Sequence, residues 1–381
     1  MSTRARPRVV VAGLGDSGLL TATHLARHVD VVGISTKPAL VSGQELGLRL
    51  TRPETWARDY YVEFGRYRRL DRVRTVHGTI TGVDLDARVL RVTGADGRGT
   101  EEPYDVLVIS TGVTNGFWRR PDLQSAADID TALLAAHERL ARAGSVTVVG
   151  GGAAAVNSAA NLASTWPDKR VDLYFPGERP LPHHHRGVWR RVERRLIERG
   201  VGLHPGHRAE IPDGFACDRI TDGPVRWSTG QPPAYADATV WAVGRVRPNT
   251  AWLPDEVLDE HGFVRVGRDL RVPGRAGVFA IGDVAATDPL RSSARNRADR
   301  LLARNVRAWL GGGRLDEFRP ARRRWGSILG FQPNGLEVFT PKGGVFRFPA
   351  WSIDTVLQPW IVRRGIYGGI RPGPPWSATA D

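Results

Sequence analysis

Arg8-Val9-Val10-Val11-Ala12-Gly13-Leu14-Gly15-Asp16-Ser17-Gly18 is the stretch that decides the fold. Five residues rich in β-branched side chains read as a buried strand, and residues 19–28 carry helical spacing. A further apolar run at 29–34 reads as a second strand, so the order is strand, glycine turn, helix, strand. A Gly-x-Gly-x-x-Gly pattern is informative in that context. Gly13 allows the tight turn, Gly15 lets backbone amides close on a pyrophosphate, and Gly18 lets the helix pack on the strand. Asp16 and Ser17 lie inside the same turn, and the anion belongs on the helix N-terminus.

The pattern returns at residues 145–152. Val146-Thr147-Val148-Val149 precedes Gly150-x-Gly152, and Ala153, Ala154 and Ala155 open the next helix, with Ala155 at the third fingerprint position. Such repetition predicts a second pyrophosphate-binding unit. Between the two, residues 74–92 alternate with a turn near Asp86, as antiparallel ribbons do. Strands are expected at 105–110, 171–175, 238–242 and 278–281, and helices at 187–199 and 291–310. After residue 319, strand-like pieces around Ile328 and Val338 precede a stretch at 351–362, where Pro349 and Pro359 should limit any helix.

The chain has 381 residues, enough for two domains, and its composition is that of a globular protein. Its net charge of +14 would suit an anionic partner, but only Lys37, Lys169 and Lys342 are lysine and the arginines are spread along the whole sequence. Either a codon preference for arginine or a functional basic patch gives that pattern, and nucleic acid is not an expected partner. The single Cys217 allows neither an intrachain disulfide nor a cysteine metal site. His183-His184-His185 reads as a solvated turn, so no metal is expected. Residues 1–8 run charged and polar into the first strand, so no signal peptide and a cytoplasmic chain are expected.

Strand ends supply further candidates. Ser110-Thr111-Gly112 offers small residues where backbone must approach a ligand. Ala280-Ile281-Gly282-Asp283 ends in a carboxylate suited either to a polyol or to capping the next helix. An acid expected at the end of the second strand is missing; Ser35, with Lys37 nearby, or a backbone group stands in its place. In the second unit the corresponding position is Phe175, followed by Glu178 and Arg179. Arg179 suits either a nucleotide 2′-phosphate, favouring NADPH, or an exposed loop charge.

With both fingerprints, Ser110-Thr111-Gly112, Trp241-Ala242-Val243-Gly244 and Phe279-Ala280-Ile281-Gly282-Asp283, residues 8–310 resemble the FAD-dependent pyridine-nucleotide oxidoreductases. The nearest branch is that of the type II NADH dehydrogenases and apoptosis-inducing-factor-like proteins. The resemblance implies an α/β fold of two Rossmann-like dinucleotide-binding domains, the second inserted into the first, with small antiparallel ribbons and a C-terminal extension. The implied division is 1–115 and 241–318 for FAD, 116–240 for NAD(P)H, and 319–381 as an interface or acceptor-site segment.

Carried over, Gly13, Gly15, Gly18, Thr111, Gly112, Gly282 and Asp283 hold FAD, with the backbone near Ile80 at the adenine. The nicotinamide candidates are Gly150, Gly152, Ala153, Ala154, Ala155, Asn157, Arg179 and Gly244. Asn157 stands where the family usually has a glutamate. The lone Cys217 excludes the disulfide-reductase chemistry, so electrons must leave directly from the flavin.

The implied activity passes hydride from NAD(P)H to flavin and then electrons to a quinone or another small acceptor. Three alternatives stand beside it: a reductase of a ferredoxin-like carrier, a biosynthetic flavoenzyme acting on a specialised metabolite, and a redox-sensing or nucleic-acid-binding flavoprotein. Trp351, Val356, Leu357, Trp360 and Ile361, followed by arginines, could also seat on a membrane surface.

Overall fold

Strand Arg8–Ala12 lies inside a seven-stranded sheet, paired in parallel with Asp30–Ser35 on one side and Val106–Ile109 on the other. This computed structural model describes residues 6–116, 118–294, 297–320, 322–323, 326–374 and 376. The charged start at 1–5, positions 295–296 of the expected long helix and residues 377–381 lie outside them. Val9, Val10 and Val11 are fully buried, and each contributes about 1.5–3 kcal/mol by leaving water. Strand Val278–Ala280 adds to one edge in parallel, and Val73–Asp84 to the other. Val89–Gly94 and Gly99–Pro103 then continue the sheet as antiparallel ribbons.

The second sheet has four parallel strands in the order Gly202–His204, Arg170–Tyr174, Ser145–Val149 and Ala238–Trp241. Parallel strands buried on both faces explain the uninterrupted valine runs in the sequence. Where the chain crosses from one sheet to the other and back, Val113–Asn115 pairs antiparallel with Val246–Pro248. The fold is therefore the expected α/β arrangement with two parallel sheets and antiparallel ribbons.

Helix Asp16–Leu25 follows the first glycine turn and Ala153–Thr165 the second. Helix Arg186–Ile197 buries Val188, Trp189, Val192 and Leu196 and turns its arginines outward. Helix Leu46–Thr51 starts in the first half of the chain, yet Leu46 and Leu50 belong to the core beneath the second sheet. A Cβ on Gly47 would fall 2.3 Å from the Asn157 carbonyl oxygen, so the two helices cross at backbone contact.

The C-terminal segment forms a three-stranded ribbon, Gly326–Ser327, Leu336–Phe339 and Val345–Phe348. Contrary to the expected limit at Pro359, a wide helix with i to i+5 bonding, Ile353–Ile366, runs through it. The proline lacks the N–H of an α-helical ladder, and the wider turn takes it in. Ile353 and Leu357 pack against Leu336, while Trp351 (71 %) and Trp360 (59 %) are exposed. No helix among the described residues is long and apolar enough to cross a membrane.

Candidate functional site

Both glycine turns open into one cleft of about 2310 Å³. From the first half of the chain it is lined by Gly13, Gly15, Asp16, Ser17, Ser35, Lys37, Ile80, Thr111 and Gly112. Gly152, Ala153, Ala154, Asn157 and Arg179 line it from the second unit, and Gly244, Gly282 and Asp283 where the chain returns. Gly18, Gly150 and Ala155 stand behind the surface. A Cβ on Gly18 would fall 1.9 Å from the Gly13 carbonyl oxygen, one on Gly150 would fall 2.2 Å from that of Ala242, and Ala155 is fully buried. These three serve close packing, which lets the lining residues approach a ligand.

Gly13 adopts φ +103, and a Cβ there would meet the Ser110 carbonyl oxygen at 2.5 Å. The Ser110 hydroxyl donates to that turn, reaching the Gly13 carbonyl oxygen at 2.7 Å. The neighbouring strand end is held by Asn249: the Thr111 hydroxyl donates to its carbonyl at 2.8 Å, and its side-chain amide donates to the Thr111 carbonyl at 3.0 Å. Ser42 Oγ donates to the Asp16 carboxylate at 3.0 Å. Ser35 Oγ accepts from the Lys37 N–H at 3.1 Å, and Lys37 Nζ donates to the Arg120 and Asp122 carbonyls at 3.1 and 2.5 Å. Burial pushes the Lys37 ammonium down to about 8, against the opposing pull of Asp122.

Asp283 meets a partner that the sequence reading missed. Arg119 Nη1 donates to its carboxylate at 2.7 Å, and the guanidinium passes over Gly43, where a Cβ would fall 2.1 Å from Nε. Burial works against the Arg119 charge, but Asp283 more than offsets it through charge and hydrogen bond, so its pKa is raised. Arg49 was missed as well. Its guanidinium donates to the Trp118 carbonyl at 3.0 Å and lies 4.7 Å from the Trp56 ring centre, with burial lowering its pKa to about 10. No motif marks either arginine, because each is brought in by a segment remote from the glycine turns.

In the second unit, the loop after the glycine turn is pinned by the Leu181 N–H, which donates to the Gly151 carbonyl at 2.7 Å. Arg179 donates to the Leu181 and Pro182 carbonyls of its own loop, at 3.1 and 3.4 Å. Phe175, in place of the acid, is 2 % exposed and packs edge-on against Trp189. Asn157 Oδ1 accepts from the Gly47 N–H at 2.5 Å, and its Nδ2 donates to Glu45 Oε2 at 3.1 Å. The three histidines differ: His183 and His184 both line the cleft, His184 buried rather than solvated, and His185 caps the next helix by accepting from the Gly187 N–H.

The cleft thus presents two strand–turn–helix units, each with a glycine turn too close to its neighbours to take a side chain, which is the cradle a dinucleotide needs. The model of the family described as pyridine nucleotide-disulphide oxidoreductase matches residues 7–305. The chain is 26 % identical to the oxidoreductase ptaL of Pestalotiopsis fici over 297 residues, covering 77 % of this chain and 76 % of that one. It is 25 % identical to ferroptosis suppressor protein 1 of Mus musculus, covering 73 % and 74 %. Among solved structures, the sulfide:quinone oxidoreductase of Aquifex aeolicus has the same fold, with a TM-score of 0.69, 18 % identity and coverage of 96 % and 93 %. So does the NADH-bound water-forming NADH oxidase of Lactobacillus brevis, at 0.63, 17 %, 87 % and 74 %. Cys217 is buried and is the sole cysteine, so no cysteine pair can stand beside a flavin. The chain belongs to the pyridine nucleotide-disulphide oxidoreductase family, as an FAD- and NAD(P)H-dependent oxidoreductase without a redox-active disulfide.

Proposed function

We propose that the chain carries reducing equivalents from NAD(P)H to a quinone or another small acceptor. The observation that carries this reading is the convergence of both glycine turns on one cleft, with Gly15 and Gly152 on its lining. FAD, when bound, supplies the ring that accepts hydride and passes electrons on. In this reading the turn at 13–18 holds the FAD pyrophosphate, with Asp16 and Ser17 at the helix start. Ser35 and Lys37 serve the adenosine end, Ile80 the adenine, and Thr111, Gly112, Gly282 and Asp283 the remainder. The turn at 150–155, with Asn157, Arg179 and Gly244, receives the nicotinamide nucleotide. The division at 1–115, 116–240, 241–318 and 319–381 is part of the same reading.

The protein's own contribution is position and charge. Helix N-termini at both turns favour anions, and the Arg119–Asp283 pair sets charge beside the polyol position. Anaerobic mixing with NADH and with NADPH, followed at the flavin absorbance, tests the first half of the reaction, and a screen of quinones tests the second. Bleaching by neither nucleotide would overturn the reading. A net charge of +14 favours a second reading, delivery to an acidic ferredoxin-like carrier, which belongs in the same screen. The exposed Trp351, Trp360 and Phe346 further support peripheral contact of the C-terminal segment with a membrane surface. Lipid flotation that leaves all protein in the soluble fraction would remove that part.

A further inference from the structure

We propose that the second glycine turn takes NADPH in preference to NADH, with the 2′-phosphate held between Arg179 and Arg208. This rests on the reading of that turn as the nicotinamide site. A pyrophosphate seated at residues 150–152 puts the adenosine ribose beside the segment that follows strand Arg170–Tyr174. That segment lies against the turn: a Cβ on Gly151 would fall 3.6 Å from Phe175 Cβ and 3.7 Å from Pro176 Cδ.

A ribose with free 2′- and 3′-hydroxyls offers donors, and a carboxylate at the end of this strand is the group that accepts them. None stands ready here. Phe175 fills the position and is buried in the core beneath the second sheet. Asp172, on the strand itself, is committed elsewhere: one of its oxygens meets His204 Nε2 at 2.8 Å and the other Arg170 Nε at 3.3 Å. Glu178 is exposed and, unlike Arg179, is not among the residues that line the cleft.

Arginines come to the same rim from two directions. The segment after strand Gly202–His204 runs beside residues 175–177, where the His207 N–H donates to the Phe175 carbonyl at 2.9 Å and the Gly206 N–H to the Gly177 carbonyl at 3.2 Å. Arg208 follows directly, and both it and Arg179 line the cleft. Its backbone is fixed: its N–H donates to Thr229 Oγ1 at 3.2 Å, and its carbonyl accepts from the Ser228 N–H at 2.9 Å. Its side chain is exposed and pairs with no carboxylate among the described residues. The bonds from Arg179 to the Leu181 and Pro182 carbonyls use part of its donor fork, so they orient the guanidinium and leave the remaining N–H groups for a ligand. A phosphate monoester is the anion that such a fork meets two bonds at a time.

The test titrates the FAD-loaded protein with ADP-ribose and with 2′-phospho-ADP-ribose by calorimetry. Neither ligand carries a nicotinamide, so flavin reduction does not intrude, and bound FAD keeps both from the first turn. Wild type is expected to bind the phosphorylated ligand about a hundredfold more tightly, about tenfold from each arginine. R208Q and R179Q are each expected to lower the ratio of the two affinities about tenfold, and R208K, which keeps the charge but not the fork, several-fold. Melting temperature and FAD content are read alongside. Should R179Q melt low through its lost loop contacts, R208Q and R208K carry the test, since Arg208 is exposed. Anaerobic bleaching of the wild-type flavin is expected to be faster with NADPH than with NADH at equal, subsaturating concentration. Equal binding of the two ligands by wild type overturns the 2′-phosphate assignment and leaves the second turn as a nucleotide site, and an unchanged ratio in R208Q overturns the pairing of the two arginines. Wild type that binds neither ligand overturns the reading of the second turn, and the proposal with it.

Discussion

Arg119 Nη1 and the Asp283 carboxylate meet at 2.7 Å across the cleft, joining a segment just past the first crossing to the end of strand Val278–Ala280. The guanidinium holds the carboxylate in place, as its proposed role as an acceptor of polyol hydroxyls requires. Hydrogen bonds to charged groups are worth about 1.5–3 kcal/mol. R119M is expected to weaken FAD retention about tenfold, and D283A at least as much, as read from free-flavin fluorescence after ultrafiltration. Tighter FAD binding in R119M would show that the arginine competes with the cofactor instead.

Two glycines separate backbone contact from backbone conformation. Gly13 and Gly112 both have positive φ, but a Cβ would meet the Ser110 carbonyl oxygen at 2.5 Å in the first and nothing within 4 Å in the second. G13A is expected to lose FAD and to melt well below wild type. G112A should fold at a cost of about 1–2 kcal/mol, the penalty for the left-handed conformation alone, and, since Gly112 faces the cofactor in the proposed site, should loosen FAD rather than lose it. Absorbance at the flavin band and a thermal melt distinguish the two outcomes.

The half-buried ammonium of Lys37 gives stability a pH dependence of definite sign. Its pKa is about 8 in the folded chain against an ordinary 10.5. Between those values the unfolded chain binds the extra proton, so the stability from this site rises with pH and is lowest below pH 8. K37M is expected to melt higher than wild type at pH 7, with the gain shrinking through pH 8–10.5. Melts across that range check it, and a gain that grows with pH would contradict the burial argument.

In the proposed reaction electrons leave directly from the flavin, which makes Cys217 dispensable. It is buried, and burial raises its thiol pKa, which slows alkylation. C217A is expected to be reduced by the nucleotide within about twofold of the wild-type rate, a change under about 0.5 kcal/mol. A large loss of flavin reduction with an unchanged melting temperature would reopen a thiol mechanism.

What could be read in the sequence was what local chemistry dictates. The valine runs, the glycine turns and the ends of strands Val106–Ile109 and Val278–Ala280 announced both sheets, because strand burial and turn geometry each leave a short-range pattern. Helix Ala126–Arg142 escaped notice although Ser125 and Asp128 cap it reciprocally, and helix Leu46–Thr51 is too short to show a period. Arg119, Arg49 and Glu45 were invisible for another reason. Their hydrogen bonds to Trp118, Asp283 and Asn157 span 69, 164 and 112 positions, and no spacing rule reaches that far. Position 157 drew attention as a departure from the resemblance, but only the fold reveals that its amide grips Gly47 and Glu45.

The paired crossings at Val113–Asn115 and Val246–Pro248 have a topological consequence. Strands in one ladder lie about 5 Å apart, so the chain leaves the first sheet and re-enters it through a single narrow neck. Everything between residues 115 and 246 is then a detachable loop in the polymer sense: a few residues could bridge the gap, and the seven-stranded sheet would keep every one of its strands.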